Sequence, residues 1–126
     1  MVKELINGFK DFRTAYFEKK SQVLQQLGEE GQSPKTMVIC CSDSRVEPSM
    51  LFGTEPGDLF VLRNVANLVP SFTSKDTLSI GSALEYAVTV LKVKDIIVLG
   101  HANCGGVANL CKRIKNEKHA KKIDSS

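Results

Sequence analysis

The sequence predicts one α/β domain in which helices flank a core of parallel β-strands. Two short apolar runs, residues 37–41 and 96–99, have the composition of buried strands. An amphipathic helix is predicted between them, and this order of elements is typical of a parallel sheet. Each apolar run is followed by residues that can bind metal, at the position where open α/β sheets place their chemistry.

Size and composition are those of an ordinary globular protein. The chain has 126 residues, of which 42% are hydrophobic and 25% charged, so we expect a single domain over residues 1–126. No apolar run approaches membrane-spanning length, and no membrane partner is predicted. The start lacks the apolar core of a signal peptide, which favours the cytoplasm and leaves an organelle open.

The first 27 residues are predicted to form a helical arm. Leu5, Phe9, Phe12 and Tyr16 recur at helical spacing, and Gly28 is the expected stop. A turn-rich loop over residues 28–35 then leads into the first strand. On composition alone, Gln32 in this loop is a solvated residue.

The middle of the chain alternates strands and helices. A short helical turn near residues 51–53 precedes a second strand, Leu59–Leu62. Apolar residues from Ile80 to Leu91 mark one face of the clearest helix, which leads to the strand Ile96–Leu99. A last helix is expected to begin after Cys104, at the two adjacent glycines.

Residues 112–126 form a basic tail. They carry six Lys or Arg against two acidic residues, whereas the whole chain has a net charge of +3, so the rest of the chain is slightly acidic. Because the tail has no aromatic residue, a solvated helix end or a disordered end is favoured over a nucleic-acid site, and no nucleic-acid partner is predicted.

Four cysteines without a secretory signal point to metal or redox chemistry. Neighbours on a strand face opposite sides, so only one of Cys40 and Cys41 can be a ligand there. We choose Cys41 and expect Cys40 and Cys111 to be small core residues. With His101 and Cys104, Cys41 gives two thiolates and one imidazole, a set that suits Zn²⁺ and leaves a fourth tetrahedral position open.

Two motifs carry a family resemblance. Residues 41–45, Cys-Ser-Asp-Ser-Arg, match the Cys-x-Asp-x-Arg motif of β-class carbonic anhydrases, and residues 101–106 match their His-x-x-Cys-Gly-Gly motif. The stretch from Pro56 to Asn67 is also similar to that family. Because both motifs occur in order, the chain is identified as a member of the family over roughly residues 28–110.

The resemblance implies a zinc site with a catalytic dyad beside it. One Zn²⁺ per chain would be bound by Cys41, His101 and Cys104, and Asp43 and Arg45 would form the dyad. Two other interpretations stay open at this point. Asp43 and Arg45 could be a local ion pair that stabilises a turn, or Asp43 could close the site as a fourth zinc ligand.

The resemblance also implies a substrate pocket. It is that of the plant-like branch, since Val38 stands where the allosteric branch has a tryptophan. The residues at the substrate-binding positions of that branch are Gln32, Phe60, Val65, Tyr86 and Gly105.

The activity implied is the reversible hydration of CO₂ to bicarbonate and a proton, by attack of zinc hydroxide. A homodimer or larger homo-oligomer is expected, because the family's pockets draw residues from two subunits. The resemblance further implies that the usual C-terminal strand and helices are lacking. The alternatives are a non-catalytic zinc-binding or interaction protein and an inactive fragment. A thiol redox protein has least support, since no Cys-x-x-Cys is present.

Overall fold

The computed structural model describes residues 1–16, 18, 21–71 and 78–124. Within these residues, helices alternate with three strands. In order, the elements are α1 (Val2–Asp11), a π-helical turn (Phe12–Tyr16), α2 (Ser21–Glu30), β1 (Thr36–Cys41), α3 (Pro48–Phe52), β2 (Leu59–Asn64), α4 (Leu78–Glu85), a second π-helical turn (Tyr86–Val90), β3 (Asp95–Leu99) and α5 (Gly105–Asp124).

The described strands form one parallel sheet in the order β2-β1-β3. Cys41 pairs with Asn64 on β2, and Cys40 pairs with Leu99 on β3. The carboxyl ends of all three strands therefore meet at one edge of the sheet. The prediction of a parallel sheet flanked by helices is confirmed.

The core is centred on β1, whose two faces are both covered. Met37 and Ile39 pack with Ala87 on one face, and Val38 and Cys40 pack with Val46 on the other. This alternation follows from the period of two along a strand. β1 is thus a buried support for the residues that follow it.

The outer elements are much less covered. Ile96, Ile97 and Val98 of β3 are each at least 39% exposed, and so are Leu5 and Phe9 of α1. No helix in the described part of the chain combines the length and apolar character needed to cross a membrane. Exposed apolar side chains are therefore found on α1 and on β3, which is an edge strand of the described sheet.

Several element boundaries differ from those predicted. α2 continues past Gly28 to Glu30, because a glycine in an exposed helix costs only about 1 kcal/mol relative to alanine. β2 is two residues longer than predicted and ends at Asn64. The predicted helical arm is interrupted by a π-helical turn, and residues 17, 19 and 20 of it lie outside the described part of the chain.

The last helix contains the basic tail as far as Asp124. This agrees with the helix-end interpretation of the tail. Cys40 is a core residue, as predicted, and burial raises the pKa of its thiol. The prediction that Cys111 is a core residue is wrong, because its side chain on α5 is exposed to solvent.

Candidate metal centre

Three metal-binding side chains converge at the carboxyl edge of the sheet. Cys41 is the last residue of β1, His101 follows β3 by two residues, and Cys104 immediately precedes α5. Their sulfur and imidazole nitrogen atoms all lie within 4.8 Å of one another. Residues sixty positions apart in sequence therefore form one cluster because the strands are parallel.

The cluster has the dimensions of a zinc site. The two sulfurs, Cys41 Sγ and Cys104 Sγ, are 3.9 Å apart. Two sulfurs of a tetrahedral zinc site with bonds of about 2.3 Å would be roughly 3.8 Å apart. The arrangement of the two thiols thus needs little change to hold the ion.

His101 presents the correct nitrogen to the cluster. Its Nδ1–H donates a hydrogen bond to the carbonyl oxygen of Ala102, at 3.0 Å. The other nitrogen, Nε2, is buried and has no hydrogen-bond partner among the residues that the structure describes. A ring held at Nδ1 with an unpartnered Nε2 is the usual arrangement of a metal-binding histidine.

The surroundings of Cys41 favour the thiolate form of its side chain. The side chain is 4% exposed, and its sulfur accepts a hydrogen bond from the main-chain N–H of Ala66 at 3.3 Å. The adjacent His101 imidazole, together with this N–H group, lowers the pKa of Cys41 to about 6. The same pairing raises the pKa of His101. A thiolate near neutral pH is the form that binds metal.

Asp43 and Arg45 form a bidentate ion pair beside the cluster. Nε and Nη2 of Arg45 donate to the two carboxylate oxygens of Asp43 at 2.9 and 2.8 Å, and the main-chain N–H of Arg45 adds a bond at 2.9 Å. These bonds hold the pKa of Asp43 well below its usual range. Asp43 Oδ2 lies 3.9 Å from His101 Nε2, at the rim of the cluster. Each carboxylate oxygen of Asp43 thus accepts a hydrogen bond from Arg45, and the carboxylate stands next to the cluster.

Arg63 is a site residue that the sequence analysis missed. From β2 its guanidinium donates to the carbonyl oxygens of Cys41, Asp43 and Val46 at 3.0, 2.8 and 2.6 Å. It therefore fixes the backbone that carries Cys41 and Asp43. The available signal was a basic residue near the carboxyl end of an otherwise apolar strand.

The predicted pocket residues fall into two groups. Val65 follows β2, and Gly105 adjoins Cys104, so both lie at the carboxyl edge of the sheet beside the cluster. Phe60 pairs in register with Met37, four residues before Cys41 and so about 13 Å away along the strand. Tyr86 contacts Phe60, with ring centroids 5.8 Å apart.

Gln32 belongs to the second group. It is exposed and precedes β1, which begins at Thr36. Within one chain, Gln32, Phe60 and Tyr86 are therefore at the end of the sheet opposite the cluster.

Comparison with known proteins gives consistent matches. The family model described as carbonic anhydrase matches residues 36–126. A carbonic anhydrase of Synechocystis is 41% identical over 111 residues, which are 88% of this chain and 40% of that protein. This chain therefore spans about 40% of the length of that curated relative.

Solved structures agree with the sequence matches. The structure of the β-carbonic anhydrase CcaA superposes with a TM-score of 0.85 and 39% identity, covering 93% of this chain and 56% of that one. A second match is a structure from a study of two tetrameric β-carbonic anhydrases of the filamentous ascomycete Sordaria macrospora. It gives a TM-score of 0.61 and 32% identity, and the match covers 99% of this chain and 66% of that one.

Proposed function

We propose, because this chain belongs to the β-carbonic anhydrase family, that it catalyses the zinc-dependent reversible hydration of CO₂ to bicarbonate and a proton. One observation carries the proposal. Cys41, His101 and Cys104 converge with zinc-site dimensions directly beside an ionised carboxylate that is held by arginine. A carboxylate in this position supports a catalytic site over a purely structural metal site.

The cofactor is zinc, and Cys41, His101 and Cys104 are its proposed ligands. Three protein ligands leave one tetrahedral position for water or substrate. When bound, zinc supplies Lewis acidity that makes water nucleophilic near neutral pH.

Asp43 is the proposed orienting residue. As an ionised carboxylate it can only accept hydrogen bonds, so it takes one from the attacking water and aims the lone pair of the water oxygen at CO₂. Arg45 holds Asp43 ionised and fixes its rotamer through two parallel hydrogen bonds. The ion pair thus acts on the orientation of the nucleophile.

The proposed substrate pocket is shared between two copies of the chain. Val65 and the main-chain N–H of Gly105 would contact substrate from the chain that holds the metal. Gln32, Phe60 and Tyr86, at the opposite end of the sheet, would serve the pocket of a second copy, with Gln32 donating a hydrogen bond to bicarbonate. A homodimer or larger homo-oligomer follows, and the exposed apolar surfaces of α1 and β3 support it.

We also propose a cytoplasmic location. The four cysteines are free, and two of them are the proposed zinc ligands. Metal-binding thiols persist in a reducing compartment, which supports this assignment.

Stopped-flow CO₂ hydration by the purified, zinc-loaded chain tests the activity. We expect a rate well above that of buffer, reduced at least about 100-fold in Asp43→Asn with zinc content unchanged. Asp95→Asn is the matched control, because Asp95 is an exposed carboxylate at the start of β3. Stoichiometric zinc without hydration by the wild-type chain would refute the proposal.

Subunit mixing tests the shared pocket. Asp43→Asn and Tyr86→Ala chains are each expected to have low activity alone. In a mixed dimer, one of the two pockets would combine the intact Asp43 of one chain with the intact Tyr86 of the other. Activity should therefore reappear on mixing, and a mixture no more active than its components would contradict the shared pocket.

A further inference from the structure

Gly106 is packed more tightly than the glycine beside it. A Cβ built on Gly106 would lie 2.6 Å from Val65 Cγ1, 3.0 Å from Ala66 Cβ and 3.1 Å from Ala66 N. A Cβ on Gly105 would meet no atom of the described residues within 4 Å. The first turn of α5 therefore touches the turn after β2 at a point where an added Cβ would force its neighbours to shift.

The turn that Gly106 touches is the one that reaches the Cys41 sulfur. Ala66 has a φ of 73°, in the left-handed region that residues with a side chain rarely adopt. In that conformation its N–H donates to Cys41 Sγ at 3.3 Å. The direction of this N–H therefore depends on an unusual local backbone that its surroundings must hold.

The turn is fixed from two sides. Asn64 binds both main-chain groups of Leu68 through its side chain, at 2.7 and 3.1 Å, which closes the turn from within. Gly106 closes it from α5. Since Ala66 is 3% exposed, it has little room to move away from the helix.

We propose that Gly106 is a positioning residue for the metal centre. Its missing side chain lets α5 lie against the turn at the distance that directs the Ala66 N–H to the Cys41 sulfur. Cys104 precedes Gly106 by two residues, so this single contact also sets the position of the second thiolate relative to the first. The inference rests on the proposed function, in which both thiolates bind zinc.

A side chain at position 106 would act on both sulfurs. The contact with Val65 Cγ1 could be relieved by rotation of that side chain, but the contacts with the Cβ and main-chain nitrogen of Ala66, at 3.0 and 3.1 Å, can be relieved only by movement of the backbone. Either the Ala66 N–H turns away from Cys41, or the start of α5 moves away with Cys104. Loss of an outer partner of a metal ligand typically weakens metal binding by about 10- to 100-fold.

Zinc affinity, measured by competition with a chromophoric chelator, tests the proposal on the full chain. We expect Gly106→Ala to raise the Kd for zinc about 10- to 100-fold and Gly105→Ala to leave it within about threefold of wild type. Loading with Co²⁺ gives a second readout, because the thiolate-to-cobalt absorption reports the sulfur geometry. It should change in Gly106→Ala alone. Equal zinc affinities and cobalt spectra in the two alanine variants would overturn the proposal.

A second comparison covers the case in which Gly106→Ala fails to fold. The double variant Val65→Ala/Gly106→Ala lacks the contact at 2.6 Å and keeps the two contacts with Ala66. It is compared with Val65→Ala alone. Weaker zinc binding by the double variant supports the proposal, and equal binding overturns it.

The outcomes are separable from those of the proposed function. Failure of the activity appears as wild-type chain that holds zinc without hydrating CO₂, and leaves this inference intact. Failure of the inference appears as a Kd for zinc that does not change when Gly106 is replaced. Wild-type chain that takes up no zinc would overturn both.

Discussion

Replacement of Arg63 should destabilise the domain much more than replacement of Arg45, the other arginine at the carboxyl edge of the sheet. The guanidinium makes three hydrogen bonds to main-chain carbonyls, at 3.0, 2.8 and 2.6 Å, and the side chain is 31% exposed. A hydrogen bond from a charged group contributes about 1.5–3 kcal/mol when buried. Because water can replace part of each bond here, we expect Arg63→Met to lower the free energy of unfolding by about 3–4 kcal/mol.

This loss is large compared with the stability of a whole domain, which is about 5–15 kcal/mol. Urea unfolding of the metal-free chain measures it, and chelator is included because bound metal would add its own stabilisation. With a slope of about 1.5–2 kcal/mol per molar urea, the midpoint should fall by roughly 2 M. Arg63→Lys should lose about half as much, since an ammonium cannot reach three carbonyls at once.

Arg45→Met is the matched control for Arg63→Met. Arg45 is also an arginine at this edge, but its side chain is 60% exposed and its ion pair with Asp43 is accessible to solvent. Exposed ion pairs contribute little to stability, so the midpoint should shift only slightly. If Arg63→Met shifted the midpoint no more than Arg45→Met, Arg63 would not be the residue that holds this loop.

Three further predictions concern metal and pH. Cys41→Ser should weaken zinc binding by more than about 100-fold, whereas Cys111→Ser, on the exposed face of α5, should not change it; equal zinc content in the two would contradict the ligand assignment. Because the pKa of Cys41 is lowered to about 6, its thiolate is present above that pH and is lost as the pH falls through it. Zinc affinity in chelator competition should therefore fall more than about tenfold between pH 7 and 5, and a constant affinity would refute this. Two thiolates cancel the charge of zinc and make water at the site less acidic than three histidines would, so the hydration rate should rise toward alkaline pH; a rate that is flat from about pH 6 to 9 would be the contrary result.

The sheet and the clustering of Cys41, His101 and Cys104 could be predicted because both depend on local sequence pattern. Apolar runs mark the strands, and Cys41 and His101 each stand just past a strand end, where a parallel sheet brings distant residues together. Arg63 could not be found in this way, since a charged residue within a strand is ordinarily assigned to solvent. Its three acceptors are main-chain oxygens, which no sequence pattern reveals.

The groups around the two cysteine sulfurs could not be predicted from the sequence, for a related reason. Ala66 acts through its main-chain N–H, so its side chain carries no signal. Gly106 differs from Gly105 only in what lies opposite it, which is a tertiary contact. Cys111 was misassigned because an apolar residue type does not reveal which face of a helix is covered.

The parallel alignment of β1 with its two neighbours has a consequence for folding. A slip of one residue would move Cys41 by about 3.3 Å and turn its sulfur to the other face of the sheet. His101 is sixty positions later in the sequence, so the proposed ligands meet only after the long-range pairing of β1 with β3 has formed. Zinc capture would then come late and would favour chains whose strands are correctly aligned. Zinc binding would therefore stabilise the native strand register, in addition to its proposed role in catalysis.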